Sequence, residues 1–482
     1  MKAWGTPLIL AVGLGAAALL AAPPARAEGV RVITHAPSSA AAAAAGLLVP
    51  GRGPTFSRRE TLDGLDEIPR GACPCSWTFY VTLPRTAPHE YDGLERVWIA
   101  GPGYPPGSLL VSDRTHIPGL VSVYDLEPTA KALLENEDPP VTARSDGNTP
   151  EKLEALEQRL DRTHDTRAEA GLLLAGVIAL FSILAWALRS PLLGRAALLA
   201  VPVGLGGALG LSALEVSAPT TVILVLAAIV GLGAPAIAAV TRNRRALALA
   251  LLAIFPVYLL TLAISTETSS FAAIGARPEN GGRFYGFQNQ IETMLLVPAL
   301  LGATLLGLRA LIPVALLALV TVGASFAGAD GGGVLVFAVG FVFLWLRLRE
   351  IPLTARNLAL AGAGAIAAGL VLVGLDAALG GVSHVTRAVE GGPFELAGDI
   401  AHRLRLSAGG VFSSLHAAII IPVSLAALLW IALRRPRHAT VDATLVAIAV
   451  SLLVNDSPRD VAAWGALSCG ALRLWKEARR VQ

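Results

Sequence analysis

The chain is short of charge. Asp, Glu, Lys and Arg make up 15% of its 482 residues, against roughly 25% in an ordinary soluble domain. A disordered chain, which depends on charge and low hydropathy, is excluded. The formal net charge of +3 is too small to point to nucleic acid. Cysteine is nearly missing as well, and three residues exclude a disulfide-rich secreted module. Also lacking are a Gly-rich P-loop, a zinc-spaced Cys/His set, a nucleophile elbow and a haem motif. ATP-driven and metal-hydrolytic chemistry are therefore not expected, and neither a metal nor a cofactor is called for.

Apolar residues are what the chain has. They form 54% of it, and the mean hydropathy is +0.62. They gather into runs of about twenty, the length that crosses a ~30 Å hydrocarbon core. A soluble enzyme is excluded. The expected fold is mainly α: a polytopic transmembrane helix bundle of about eleven spans, with a small extracytoplasmic α/β domain.

Residues 1–27 read as a signal peptide. Lys2 is a minimal positive start, Leu8 to Ala22 is an apolar stretch, and Ala25-Arg26-Ala27 is a small-x-small cleavage site. An uncleaved first helix is the other reading. Residues 28–148 are polar and rich in Pro and Gly, as suits a translocated domain. Residues 149–168 form a charged helical stalk with Leu153, Leu156 and Leu160 on one face. Residues 169–475 form the bundle, and 476–482 a cytoplasmic tail. In an oxidising compartment Cys73-Pro74-Cys75 is open to a local or intermolecular disulfide, whereas Cys469 reads as a small packing residue.

The expected spans are 169–188, 196–214, 219–240, 246–264, 291–308, 311–327, 332–346, 357–375, 412–433, 440–454 and 459–474. Each turn assigned to the inside is basic (Arg242, Arg244 and Arg245, for example), as the positive-inside rule requires. This places the chain in the cytoplasmic (inner) membrane of a cell envelope, with its N-terminal domain outside and its C-terminus inside. The stretch from Gly328 to Gly333 reads either as a turn between spans or as a re-entrant break.

The anomalies are basic residues on the outer side. Loop 265–290 carries Arg277 and Arg283, and loop 376–411 carries His384, Arg387, His402, Arg403 and Arg405. Solvated loop charges are one account. The sharper one is an anion seat, because arginine holds phosphate through a planar fork of donors. Arg283, Tyr285, Asn289, Asp330, Arg387 and Arg403 are the candidate substrate-binding residues. His384 is the candidate general base, since histidine titrates near neutrality, and Glu292 the second catalytic candidate. Glu292 and Asp330, ionisable groups at the membrane boundary, are expected to pair with outer arginines or to receive a proton or ion. Arg283 is expected to satisfy Glu292, and the clusters around Arg283 and His384 to converge on one outward cavity. Asn455 and Asp456 cap the tenth span on the same side.

Several of these segments resemble known families. Gly282-Arg283-Phe284-Tyr285-Gly286 through Glu292, Gly328 to Gly333, Ser383-His384-Val385-Thr386-Arg387 and Asn455-Asp456-Ser457 resemble motifs of a family of uncharacterised bacterial polytopic membrane proteins. This chain departs from it at Gln288-Asn289-Gln290, where Gly-Asn-Glu is common, and at Asp330, where Asn is common. Ser112-Asp113-Arg114-Thr115-His116 through Asp125-Leu126-Glu127-Pro128-Thr129 is similar to a late segment of the alkaline-phosphatase superfamily. That resemblance implies a truncated outer domain without the superfamily's metal cluster and without hydrolase activity. The bundle distantly resembles the O-antigen ligase and polymerase group. The resemblance implies a glycan transferase or ligase acting on a polyprenyl diphosphate carrier at the outer face, with Arg283 and Arg387 on the diphosphate and His384 activating the acceptor. Two rivals stand beside it: a transporter or flippase for a lipid-linked or anionic substrate, with Glu292 and Asp330 as coupling groups, and a scaffold whose outer domain binds a partner. Membrane lipid, with or without such a glycan, is the expected partner. The oligomeric state is open.

Overall fold

The structure, a computed structural model, describes residues 30–378 and 415–480, apart from 40–42, 50–54, 57–62, 64, 67, 69–75, 84–88, 92, 146, 282 and 456. The signal-peptide segment, Cys73, Cys75, His384, Arg387, His402, Arg403, Arg405 and Asp456 lie outside the described residues.

The N-terminal domain is built on a seven-stranded mixed sheet. Its strands are β1 (Val30–Ile33), β2 (Ala44–Val49), β4 (Trp77–Val81), β6 (Glu95–Ala100), β7 (Leu109–Ser112), β8 (Leu120–Ser122) and β9 (Val141–Arg144), while β3 (Thr55–Phe56) and β5 (His89–Glu90) pair separately. The spatial order is β1-β4-β6-β2-β7-β9, with β8 also paired to β2. In β4 the burial alternates residue by residue, the period of a strand with one face on a core. All six residues of β2 are buried, because that strand is covered on both sides.

On one face, Phe79, Ile99, Leu110 and Val121 pack under helix α1 (Leu126–Glu135) through its Leu126 and Ala130. On the other, Leu47, Trp98, Leu109 and Leu120 meet Leu153 and Leu160 of helix α2 (Thr149–Ala187), together with Phe271 and Phe284. The expected stalk is thus part of the domain's core. It is pinned there by Arg96 to Glu157 at 2.7 Å and by the Tyr91 hydroxyl, which donates to Asp161 at 2.5 Å. Burial, followed by that hydrogen bond to Asp161, raises the Tyr91 phenol above its ordinary range. The stalk and the first apolar run form one helix of 39 residues.

The rest of the chain is helical: α3 (Pro191–Ala213), α4 (Pro219–Val240), α5 (Arg244–Ile264), the short α6 (Thr266–Ser270), α7 (Asn289–Leu306), α8 (Leu311–Gly323), α9 (Gly331–Leu348), α10 (Ala355–Ala378), α11 (Leu415–Leu433), α12 (Ala439–Val454) and α13 (Pro458–Arg480). Among the described residues eight helices are long and apolar enough to cross a membrane: α2 to α5, α7, α9, α10 and α11. α8 and α12 are shorter apolar helices, and α13 is amphipathic, burying Val461, Cys469, Leu472 and Trp475. Cys469 packs in the core as a free, buried thiol.

α7 occupies the centre, packed against α5, α8, α12 and α13, and most of its residues are buried. Such a helix touches protein all round, so a polar side chain on it must find its partners inside the bundle.

Two loops meet at the amino end of α7. Segment 265–288 folds back on itself: the Ser270 hydroxyl donates to the Phe284 carbonyl at 2.6 Å, and Arg277 and Arg283 face each other in an isolated antiparallel bridge. Segment 324–330 turns between α8 and α9, with the Gly328 N–H donating to the Thr321 carbonyl and the Asp330 N–H to the Val322 carbonyl, both at 2.9 Å. The Phe287 N–H then donates to the Gly328 carbonyl at 2.9 Å, tying one loop to the other. Gly286 sits at that crossing with φ +80°, and a Cβ added there would stand 2.3 Å from the Gly328 oxygen. Gly286→Ala is therefore expected to cost about 2–3 kcal/mol, from the left-handed backbone and the clash together. Chemical denaturation of the purified protein in detergent would show it as a lowered midpoint.

Candidate functional site

Glu292 lies on the first turn of α7 and is fully buried. The Asn455 amide, just past α12, donates to its Oε2 at 2.7 Å, and the Ser451 hydroxyl to its Oε1 at 3.3 Å. The Asn455 amide also reaches the Ser451 oxygen at 2.8 Å. A carboxylate accepts and does not donate, so an amide and a hydroxyl from a neighbouring helix are the groups that can hold it.

Asp330 is also fully buried. It caps α9, its Oδ1 accepting from the Gly333 N–H at 3.1 Å. Arg283 donates to the same Oδ1 at 2.7 Å and to the Ala329 carbonyl at 3.3 Å. Among the described residues Asp330 Oδ2 has no hydrogen-bond partner. Gly332 lies between Asn455 and Asp330: Asn455 Oδ1 stands 2.7 Å, and Asp330 Oδ1 3.6 Å, from the point its Cβ would occupy. That glycine lets α9 come against Asn455. The guanidinium on Asp330 has a side chain that is 28% exposed, which opens that carboxylate to its surroundings.

The pairing corrects one expectation. Arg283 binds Asp330, and Glu292 is held by Asn455 and Ser451. The reason is position: Arg283 stands beside the loop that ends in Asp330, while Glu292 faces α12 from inside the bundle. Asn289, the first residue of α7, is buried, and its carbonyl accepts from the Thr293 hydroxyl at 2.7 Å. Tyr285 is half-buried and makes a T-shaped ring contact with His116 of the sheet domain, with centroids 4.6 Å apart. Burial lowers the proton affinity of that imidazole, the charge of Asp113 opposing. The expected convergence with His384, Arg387 and Arg403 concerns residues outside those described.

A second buried cluster had no mark in the sequence reading. Arg167 of α2 reaches into loop 265–288 and donates to the carbonyls of Ser270 at 2.9 Å, Ala272 at 3.4 Å and Ala276. Its Nε lies 3.3 Å from the fully buried Glu279. His164, one turn earlier, comes within 3.2 Å of the same carboxylate. Burial alone would push Glu279 up, but the Arg167 charge and the His164 hydrogen bond outweigh it and hold the carboxyl below its ordinary range. The loop carrying Arg283 is thereby fixed to the helix that carries the sheet domain.

In the sheet domain, the segment similar to the phosphatase superfamily serves local structure. The Ser112 hydroxyl and the Ser122 N–H donate to Asp125 Oδ2 at 2.8 and 3.0 Å, and Arg114 pairs with Oδ1. Among the described residues no group of three His, Cys, Asp or Glu side chains is placed to hold a metal ion. Comparison of the chain with protein-family models, with curated proteins and with solved structures finds no match.

Proposed function

We propose that the chain is an envelope membrane protein that moves an anionic substrate, lipid-linked or free, with Glu292 and Asp330 as its coupling groups. The observation that carries this reading is a pair of fully buried carboxylates at two helix ends, Asp330 on a partly exposed arginine and Glu292 on an amide and a hydroxyl. A dry site with two carboxylates and one guanidinium carries an excess negative charge, which a proton or a cation neutralises. An anion that draws Arg283 off Asp330 increases that excess, so anion occupancy and cation uptake are linked. The shorter α8 and α12 and the amphipathic α13 complete eleven passes in this reading, with the sheet domain outside and the C-terminus in the cytoplasm, as the basic turns require.

The test is reconstitution of the full chain in vesicles, after mass spectrometry has identified the lipid that co-purifies. Movement of that lipid's headgroup, or of a soluble anion, should follow an imposed pH or sodium gradient. Glu292→Gln should abolish the coupling while the protein stays folded. Coupling unchanged in Glu292→Gln would refute the proposal. Glycan transfer to an added acceptor, lost in His384→Ala, would replace it with the polyprenyl diphosphate transferase. Neither transport nor transfer, with ordinary phospholipid alone bound, would leave the scaffold.

A further inference from the structure

Arg277 and Arg283 are directly opposed in an antiparallel bridge. Residues so placed send their side chains to the same side of the backbone pair, and like charges there repel. Arg283 is neutralised by Asp330. Arg277 is not: it reaches only the Gln290 side-chain oxygen, at 3.5 Å, and among the described residues no carboxylate forms an ion pair with it. Two half-buried arginines opposed by backbone pairing, one of them short of a counter-charge, make a site that an anion stabilises.

Both groups act at the start of α7. Arg277 touches Gln290, and Arg283 lies in the loop that leads into the helix. Gln288, at the N-cap position, gives no side-chain hydrogen bond to the helix, so the positive end of the α7 dipole adds to the two arginines. A pair of planar five-donor forks suits a tetrahedral, multiply charged oxyanion better than a single carboxylate.

We propose that Arg277 and Arg283 are the two arms of a seat for a phosphoryl anion, phosphate or diphosphate, with Asp330 holding Arg283 until the anion displaces it. This rests on the transport reading and gives its substrate class. A lipid headgroup and a free phosphoryl anion present the same chemistry.

The experiment is equilibrium binding, without any gradient, to the purified full chain in detergent and in phosphatidylcholine nanodiscs. Pyrophosphate is the soluble probe, and nanodiscs doped with a polyprenyl diphosphate supply the headgroup. Saturable binding of either is expected, and whichever binds names the source. Arg277→Gln should weaken it about tenfold, a loss of roughly 1.4 kcal/mol. Arg277→Lys, which keeps the charge and loses the fork, should fall between. Asp330→Asn, which removes the competing carboxylate, should tighten it. Melting without ligand shows whether each variant is folded. Unchanged binding in folded Arg277→Gln, equal binding of citrate, or no binding of either probe would overturn the seat. Binding with these properties but no coupled movement would overturn the transport reading alone.

Discussion

Replacing Arg167 by methionine should destabilise the protein by about 3–5 kcal/mol, the range for removing one partner of a buried ion pair. Methionine fills much of the volume, so packing is not the main loss. Glu279 would keep His164 as its remaining side-chain partner at full burial, and the carbonyls of Ser270, Ala272 and Ala276 would each lose a donor. The effect should depend on pH in a defined sense. Because the Glu279 carboxyl is held below its ordinary value in the folded state, its contribution is present above about pH 4.5, the ordinary value for the side chain. It is lost as pH falls through the lowered folded value. The difference between the native protein and Arg167→Met should therefore be largest near neutrality and shrink in acid. Denaturant midpoints in detergent at a series of pH values would measure it. A difference that grew in acid would mean that Glu279 is not the group concerned.

Arg283→Gln is the second large effect. It leaves Asp330 buried without its cation, and among the described residues Asp330 keeps the Gly333 N–H as its donor. A loss of about 2–4 kcal/mol is expected, below the fully buried case because the arginine side chain is partly exposed. Asp330→Asn on the same background should restore more than half of it, since the asparagine needs no counter-charge and can still cap α9. The four melting curves form a double-mutant cycle. If the double variant were no better than Arg283→Gln alone, the two side chains would not be energetically coupled and the geometry would have misled.

How far the sequence reaches can be seen in these two clusters. Each of the eleven apolar runs falls on a helix, because an apolar stretch of that length has few other ways to satisfy its backbone. Spanning is a stricter property, and α8, α12 and α13 are too short or too amphipathic to show it from length and composition. Glu292, Asp330 and Arg283 stood out because charge is conspicuous in an apolar background. Their pairing did not, since it depends on which loop lies over which helix end. Asn455 was visible as a cap, and its second task as the donor to Glu292 was not. Ser451 is one serine inside an apolar helix, with no periodic signal to mark it. Arg167 and Glu279 lay in stretches already charged, where one buried pair looks like any solvated one.

The 39-residue α2 is about 58 Å of unbroken rod at 1.5 Å per residue, and it sets a rotational register between the two halves of the molecule. Leu153 and Leu160 fix its azimuth against the sheet, Arg167 fixes it against loop 265–288, and Leu174 and Ile178 fix it within the bundle. A single residue added between these points turns everything beyond it by about 100°, so length in this helix is a matter of phase. Whatever twists the sheet domain about that axis is delivered as torque to the loop that holds Arg283, with no hinge along the way to absorb it.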